Sequence, residues 1–320
     1  MLKSVIAAAV FLFSASDLRA QLNIYFVNVN QGDAIFVEFP NGTNALIDGG
    51  PNGEMIAKFL KDKGVTKIDR VVLTHPHSDH YRGLKKVFNA FEVKAFYDTK
   101  AENRDAAGDN NLRELADIEP GCRTYFPKPD AQLEWDSKVT VKVLNTCWEP
   151  VIIHDNDENN NCSLVLRLYY NGNGIMLTGD SEAGIEDTIM RRYKSGLNSS
   201  ILKVGHHGSR FSSTDAFLAR VRPQVAVVSV GVGNVYGHPH REALDRLRAA
   251  GAKILFTTQG TQSLTIPAPD KDGKPAEIVF NDFNATVEQK FEDMTLTWTP
   301  ETPAGLDSPS ANQLTESAAK

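Results

Sequence analysis

The sequence predicts a single α/β domain built on two sheets. Apolar stretches of strand length alternate with stretches of helical spacing from residue 22 to residue 266. The alternation also repeats itself. Strand, Asp48-Gly49, helix, strand and a histidine cluster make up the first half. Strand, Gly179-Asp180, helix, strand and His206-His207 make up the second. Two such βαβ-like units would bring both acid-ended strands and both histidine-ended strands to one edge of paired sheets.

Residues 22–27 and 34–39 alternate like paired strands. Pro40-Asn41-Gly42 is a turn, and 44–47 is a third strand that ends at Asp48-Gly49-Gly50. Ile56, Phe59 and Leu60 give 55–63 one apolar helical face, and Gly64 stops it. A strand at 71–73 opens into histidines, a short helix covers 83–88, and 93–97 is another strand. Residues 100–120 are polar and read as a helix or an exposed excursion. Strands are expected at 139–144, 164–170 and 174–177, with a polar loop at 154–161. A helix at 185–193, a strand at 201–204, a helix at 214–220, a strand at 225–230, a helix at 241–250 and strands at 253–257 and 263–266 complete the pattern. After a turn-rich break at 267–275, the segments 278–280 and 294–298 could add a strand pair. The end from Glu301, rich in Pro, Ser, Ala and Thr, reads as a disordered tail.

Residues 1–20 have the form of a secretory signal. Lys3 supplies the positive start, and 5–13 is an apolar core too short to span a bilayer. Leu18-Arg19-Ala20 would precede cleavage, leaving Gln21 first. An uncleaved anchor, an amphipathic N-terminal helix or a first strand are the alternatives. The expected organisation is thus a signal at 1–20, a domain at 21–300 and a tail at 301–320, in a secreted or periplasmic protein with no membrane contact after signal removal. The formal net charge of −6 argues against broad, nonspecific nucleic-acid binding, though not against a local basic groove. In an oxidising compartment, Cys122 and Cys147 are the expected disulfide, because the segment between them reads as a hairpin-like excursion. Cys162 is then left over. Buried free thiols are the equal alternative.

Seven of the eight histidines fall in three short clusters, the first being Thr74-His75-Pro76-His77-Ser78-Asp79-His80. Two imidazoles two residues apart, His75 and His77, can aim at one cation, and the adjacent Asp79 and His80 at a second. Asp180, at a strand end behind small neighbours, is the best bridging carboxylate. His206 or His207 can complete the second site. A water held between two cations would be deprotonated near neutral pH and attack as a base-like nucleophile. Asp48 reads equally as a partner of a ligand or as a turn residue. Gln31-Gly32-Asp33 could be only a hairpin turn, and His238-Pro239-His240 only a loop before a helix. Lys203 and Arg210 could hold a phosphate or be solvated charges.

His75-Pro76-His77-Ser78-Asp79-His80 resembles the HxHxDH signature of the metallo-β-lactamase fold superfamily. The segments 31–33, 46–50, 160–166, 177–180, 202–209 and 236–239, in that order, are similar to the C-terminal domain of ComEC-type competence proteins over roughly residues 22–267. The resemblance implies a four-layer αββα sandwich with a di-metal site at one edge, holding zinc or manganese. It implies hydrolysis of a phosphodiester, with DNA as the expected substrate. By position it makes His75, His77, Asp79, His80, Asp180 and His206 the metal ligands. Other branches place the last ligand one strand later, at His238; His206 or His207 would then contact substrate or protonate the leaving oxygen. Asp79, His207 and His238 are the residues expected at the chemistry. Many members carry a histidine where this chain has Asn159-Asn160-Asn161, so the first site is expected to be weaker. His154 is close enough in sequence to substitute, or is a surface residue. The membrane channel and small β-barrel that accompany the domain in ComEC are not in this chain, so a role in DNA uptake does not carry over. A lactonase, thioesterase or β-lactamase-like hydrolase on the same centre, or a non-catalytic binding protein with a degenerate site, are the rival functions.

Overall fold

A computed structural model describes residues 21–103, 110–149, 151–153, 156–270, 274 and 277–281. The expected signal, the expected tail, the strand at 294–298 and His154 lie outside them. Contacts divide the chain at residue 284, and all described residues belong to the first unit.

In chain order the strands and helices are β1 (Leu22–Phe26), β2 (Ile35–Glu38), β3 (Asn44–Ile47), α1 (Gly53–Asp62), β4 (Lys67–Ile68), β5 (Arg70–Val72), α2 (Ser78–Ala90), β6 (Glu92–Val93), β7 (Ala95–Tyr97), β8 (Ala101–Asn103), α3 (Asn110–Ile118), β9 (Arg123–Tyr125), β10 (Gln132–Leu133), β11 (Thr140–Asn145), β12 (Val151–Ile153), α4 (Asn156–Asn161), β13 (Val165–Tyr170), β14 (Asn173–Leu177), α5 (Ala183–Arg192), β15 (Ile201–Lys203), α6 (Asp215–Val221), β16 (Val225–Val228), α7 (Arg241–Ala249), β17 (Lys253–Phe256), β18 (Gln262–Ile266) and β19 (Val279–Asn281). One sheet runs β19-β18-β1-β2-β3-β5-β7-β9 and the other β10-β11-β13-β14-β15-β16-β17. The pairs β8–β12 and β4–β6 are separate two-stranded ribbons.

The period-2 alternation of the strands sorts their side chains into layers. Ile24, Ile35, Val37, Ile47 and Val72 of the first sheet meet Leu166, Leu168, Ile175, Leu177, Ile201 and Val227 of the second in one central core. Their sequence neighbours face the other way. Phe36, Leu46 and Val71 pack on Ile56, Leu60, Leu84 and Val87 of α1 and α2. Val165, Met176, Leu202 and Ala226 pack on Ile189, Phe217, Leu218 and Leu247 of α5, α6 and α7. Three apolar cores between four layers make the αββα sandwich that was expected.

The repeat is a property of the fold. β3 and β5 pair in parallel across the α1 crossover, and β14 and β15 pair in parallel across α5. Each crossover leaves an aspartate after its first strand and histidines after its second, at the same end of the strands.

Three local expectations are corrected. α2 begins at Ser78, ahead of the helix expected at 83–88, so Asp79 and His80 stand on its first turn. The stretch expected as a polar loop at 154–161 contains α4. The disulfide joins Cys147 to Cys162, Cα atoms 4.9 Å apart, and Cys122 is free. The physical reason is layer membership: Cys122 packs among the α1–α3 core residues, whereas Cys147 and Cys162 share a small cluster with Ala101.

Candidate metal centre

The centre is assembled from three strand ends. β5 runs into Thr74, His75 and His77, and the first turn of α2 adds Asp79 and His80. The carboxylate of Asp79 at a helix N-terminus is favoured by the exposed backbone N–H groups there. β14 ends at Leu177 and leads into Asp180, whose backbone N–H donates to Ser163 Oγ at 3.0 Å. β15 ends at Lys203 and, through Val204 and Gly205, delivers the tandem His206-His207.

Thr74 and Asp48 hold the first cluster in place. The Asp48 carboxylate accepts from the Thr74 N–H at 2.8 Å and from the Thr74 hydroxyl at 2.7 Å. That hydroxyl has spent its proton, so toward His75 Nδ1, 3.1 Å away, it can only accept. His75 therefore carries its proton on Nδ1 and turns a bare Nε2 into the site. Asp48 Oδ2 also lies 2.7 Å from His80 Nδ1, fixing that ring in the same sense. Asp48 is thus a partner of a candidate ligand.

The same device recurs in the second cluster. His207 Nδ1 lies 2.8 Å from the Ser229 carbonyl, which can only accept, so Nε2 again faces inward. His206 Nδ1 lies 2.7 Å from Glu182 Oε1. Neither Glu182 nor the Ser229 carbonyl was legible in the sequence as a partner. The only hint for Glu182 is its place two residues after Asp180.

The inward nitrogens converge on one oxygen. Asp180 Oδ2 lies 3.2 Å from His207 Nε2, 3.3 Å from His80 Nε2, 3.7 Å from His75 Nε2 and 4.0 Å from His206 Nε2. His75 Nε2 and His77 Nδ1 are 2.9 Å apart, and Asp79 Oδ2 is 3.3 Å from His207 Nε2. Donor atoms around a single tetrahedral zinc, each bonded at about 2.0–2.1 Å, lie about 3.3 Å from one another. Among the described residues, three groups bring their donor atoms within 4.8 Å of one another: His75, His77 and Asp180; Asp79, His80 and His207; and Asp33, Asp48 and His80. Buried His77 Nε2, His80 Nε2, His207 Nε2 and Asp180 Oδ1 make no hydrogen bond. Buried polar atoms without partners point to a ligand, and the donor set of imidazoles and carboxylates suits divalent cations.

Electrostatics agree. Burial, reinforced by neighbouring His80, holds His75 well below the usual imidazole range, and burial also lowers His77. Both are neutral donors. Burial opposes charge on His80 and His207 too, but Asp180 outweighs it with help from Asp48 for His80 and Asp79 for His207. His80 is raised well above its ordinary value and His207 to about 9. Asp180 is held far down despite its burial by His207, His80 and His206. Without cations, protons take their place between these rings and carboxylates.

Lys203 is not a solvated charge. It is fully buried, with Nζ 2.7 Å from Asp33 Oδ2, 3.1 Å from the Gly179 carbonyl and 3.6 Å from Asp180 Oδ1. Asp33, which read as a possible turn residue, is buried and also 3.6 Å from His207 Nδ1. Arg210 is exposed at the rim, its backbone N–H donating to His240 Nδ1 at 3.1 Å. His238 flanks the site, with its ring 5.1 Å from that of His206 and 6.3 Å from that of His207 between centroids. Burial and the neighbouring imidazoles push it down to about 3.

Comparison with known proteins gives one consistent answer. Residues 27–232 match the metallo-beta-lactamase superfamily. ComE operon protein 3 of Bacillus subtilis is 28% identical over 267 residues, covering 78% of this chain and 33% of that protein. Competence protein ComA of Neisseria gonorrhoeae is 31% identical over 219 residues, covering 68% of this chain and 27% of that protein. This chain therefore spans about a third or less of the length of these relatives. The metallo-beta-lactamase fold protein YhfI from Bacillus subtilis superposes with a TM-score of 0.50 at 12% identity, over 82% of this chain and 100% of that one, a likeness of fold. Among the described residues, no helix is long and apolar enough to cross a membrane.

Proposed function

The chain belongs to the metallo-beta-lactamase superfamily, and within it we propose that this protein is an exported two-cation phosphodiesterase acting on DNA or a related phosphodiester. The convergence of four imidazole nitrogens on Asp180 Oδ2 carries the proposal. His75, His77 and Asp180 would hold one cation, and Asp79, His80, His207 and Asp180 the other. Bound there, two divalent cations such as zinc or manganese polarise a phosphoryl oxygen and ionise a water for attack.

The chain's own residues set the rest. Asp48, Thr74 and the Ser229 carbonyl fix which ring nitrogen faces inward, so the site is organised before substrate arrives. Lys203 offsets one of the buried carboxylates Asp33 and Asp180 from beneath. A pKa near 3 keeps His238 neutral at physiological pH, which suits hydrogen bonding to substrate better than proton delivery. The resemblance to the C-terminal domain of ComEC-type competence proteins, with competence proteins among the relatives, favours a phosphodiester over a lactone, thioester or β-lactam. The leader-like residues 1–20 and the Cys147–Cys162 disulfide favour export, since disulfides persist in oxidising compartments.

A substrate panel tests the activity. The metal-loaded protein is expected to cleave bis-p-nitrophenyl phosphate and DNA, and Asp79→Ala to lose at least about 100-fold of that rate, the scale on which catalytic groups act. Cleavage of lactones, thioesters or β-lactams without phosphodiester cleavage overturns it. N-terminal sequencing of the protein recovered outside the cytoplasm is expected to begin at Gln21.

A further inference from the structure

The two histidines at the end of β15 do different work: we infer that His207 completes the second cation site, while His206 supplies the first with the third imidazole that Asn159-Asn160-Asn161 does not provide. This rests on the two-cation reading above.

The backbone separates the two rings. His206 and His207 are consecutive non-glycine residues in the left-handed region, at φ 43° and 53°. Such residues are uncommon and their strain is typically kept at functional sites. The turn is seated by Gly208, at φ +87°, where a Cβ would come within 2.5 Å of Pro239 Cβ. The ring planes diverge by 71° with centroids 6.0 Å apart. His207 Nε2 reaches Asp79 and Asp180, at 3.3 and 3.2 Å. His206 stands outside all the groups whose donor atoms lie within 4.8 Å of one another, and its approach to the centre is through Asp180, with Nε2 4.0 Å from Asp180 Oδ2.

His206 is also prepared as a ligand. The Glu182 carboxylate at 2.7 Å from Nδ1 can only accept, so Nδ1 carries the proton and Nε2 presents a lone pair. The arrangement repeats what Asp48 does for His80 and the Ser229 carbonyl for His207. Asp79, His80, His207 and the shared Asp180 already offer four donors to the second cation, a complete tetrahedral set. His75, His77 and Asp180 offer only three to the first. The Asn160 amide lies beside the His206 ring, Nδ2 to Nδ1 3.4 Å. Thus His206 stands next to the stretch in which the expected histidine is missing.

The test is Co2+ binding to the metal-free full chain, followed by visible absorption and equilibrium dialysis. Wild type is expected to bind two ions. Asp79→Ala leaves the first site and binds one. Adding His206→Gly, which keeps the left-handed backbone, is expected to weaken that remaining ion at least tenfold and change its visible spectrum. Adding His207→Gly instead leaves it unchanged. Glu182→Gln in the Asp79→Ala background is expected to weaken the same ion, which a purely structural role for His206 would not produce. Unaltered affinity and spectrum in the His206→Gly double variant overturns the inference while leaving two-cation binding intact. Failure of wild type to bind any ion overturns both.

Discussion

At the scale of single residues, Asp48 is the most exposed to test. It serves Thr74 twice and His80 once, all in a fully buried setting. Asp48→Ala strands those donors. It is expected to lower stability by about 3 kcal/mol and to weaken the second cation by about 10–100-fold, measured by thermal melting and metal titration. Lys203→Met removes the buried ammonium between Asp33 and Asp180 and is expected to cost about 3–5 kcal/mol in the metal-free chain, with less loss when cations are bound, because they replace its charge. Equal losses in both states, by denaturant unfolding, would contradict that role. In the metal-free chain His207 titrates near 9, above its unfolded value near 6.5. The stability it contributes is complete below about pH 6.5 and lost as pH rises through about 9. Cations displace that proton, so the gain in melting temperature on metal loading is expected to grow from pH 6 to pH 9, and a flat gain would contradict it.

At the scale of elements, the strands and the outer helices were legible because each pairs a clean period with a clear stop. α2 was not, because Pro76 and polar residues hide its first turn, and its start shows only when Ser78 is seen following the His77 cap. Gly83 marks how tightly that helix is seated: a Cβ there would lie 1.9 Å from the Gly49 carbonyl oxygen. Gly83→Ala must push α2 away from the Asp48 turn, and is expected to cost about 1–3 kcal/mol and to loosen cation binding. The Cys147–Cys162 pair could not be read from spacing, since it depends on β11 and α4 ending beside each other. Closing a separation of 15 residues, it is expected to contribute about 3 kcal/mol, read by melting Cys147→Ser against wild type.

Across the whole molecule, the repeat visible in the sequence is the feature that makes the centre. Two parallel crossover pairs, β3–β5 and β14–β15, carry residues about 100 positions apart to one edge. That the histidine clusters and Asp180 meet at one edge was therefore readable from strand ends alone. Which nitrogen faces inward, and whether Lys203 is surface or core, were not, because both depend on packing between sheets.

Metal content of the full chain purified without chelator, beside Asp180→Ala, tests the shared-carboxylate centre most directly. Two divalent ions per wild-type chain and fewer than one in the variant are expected. Less than one ion in wild type, unchanged when zinc or manganese is supplied, would contradict it.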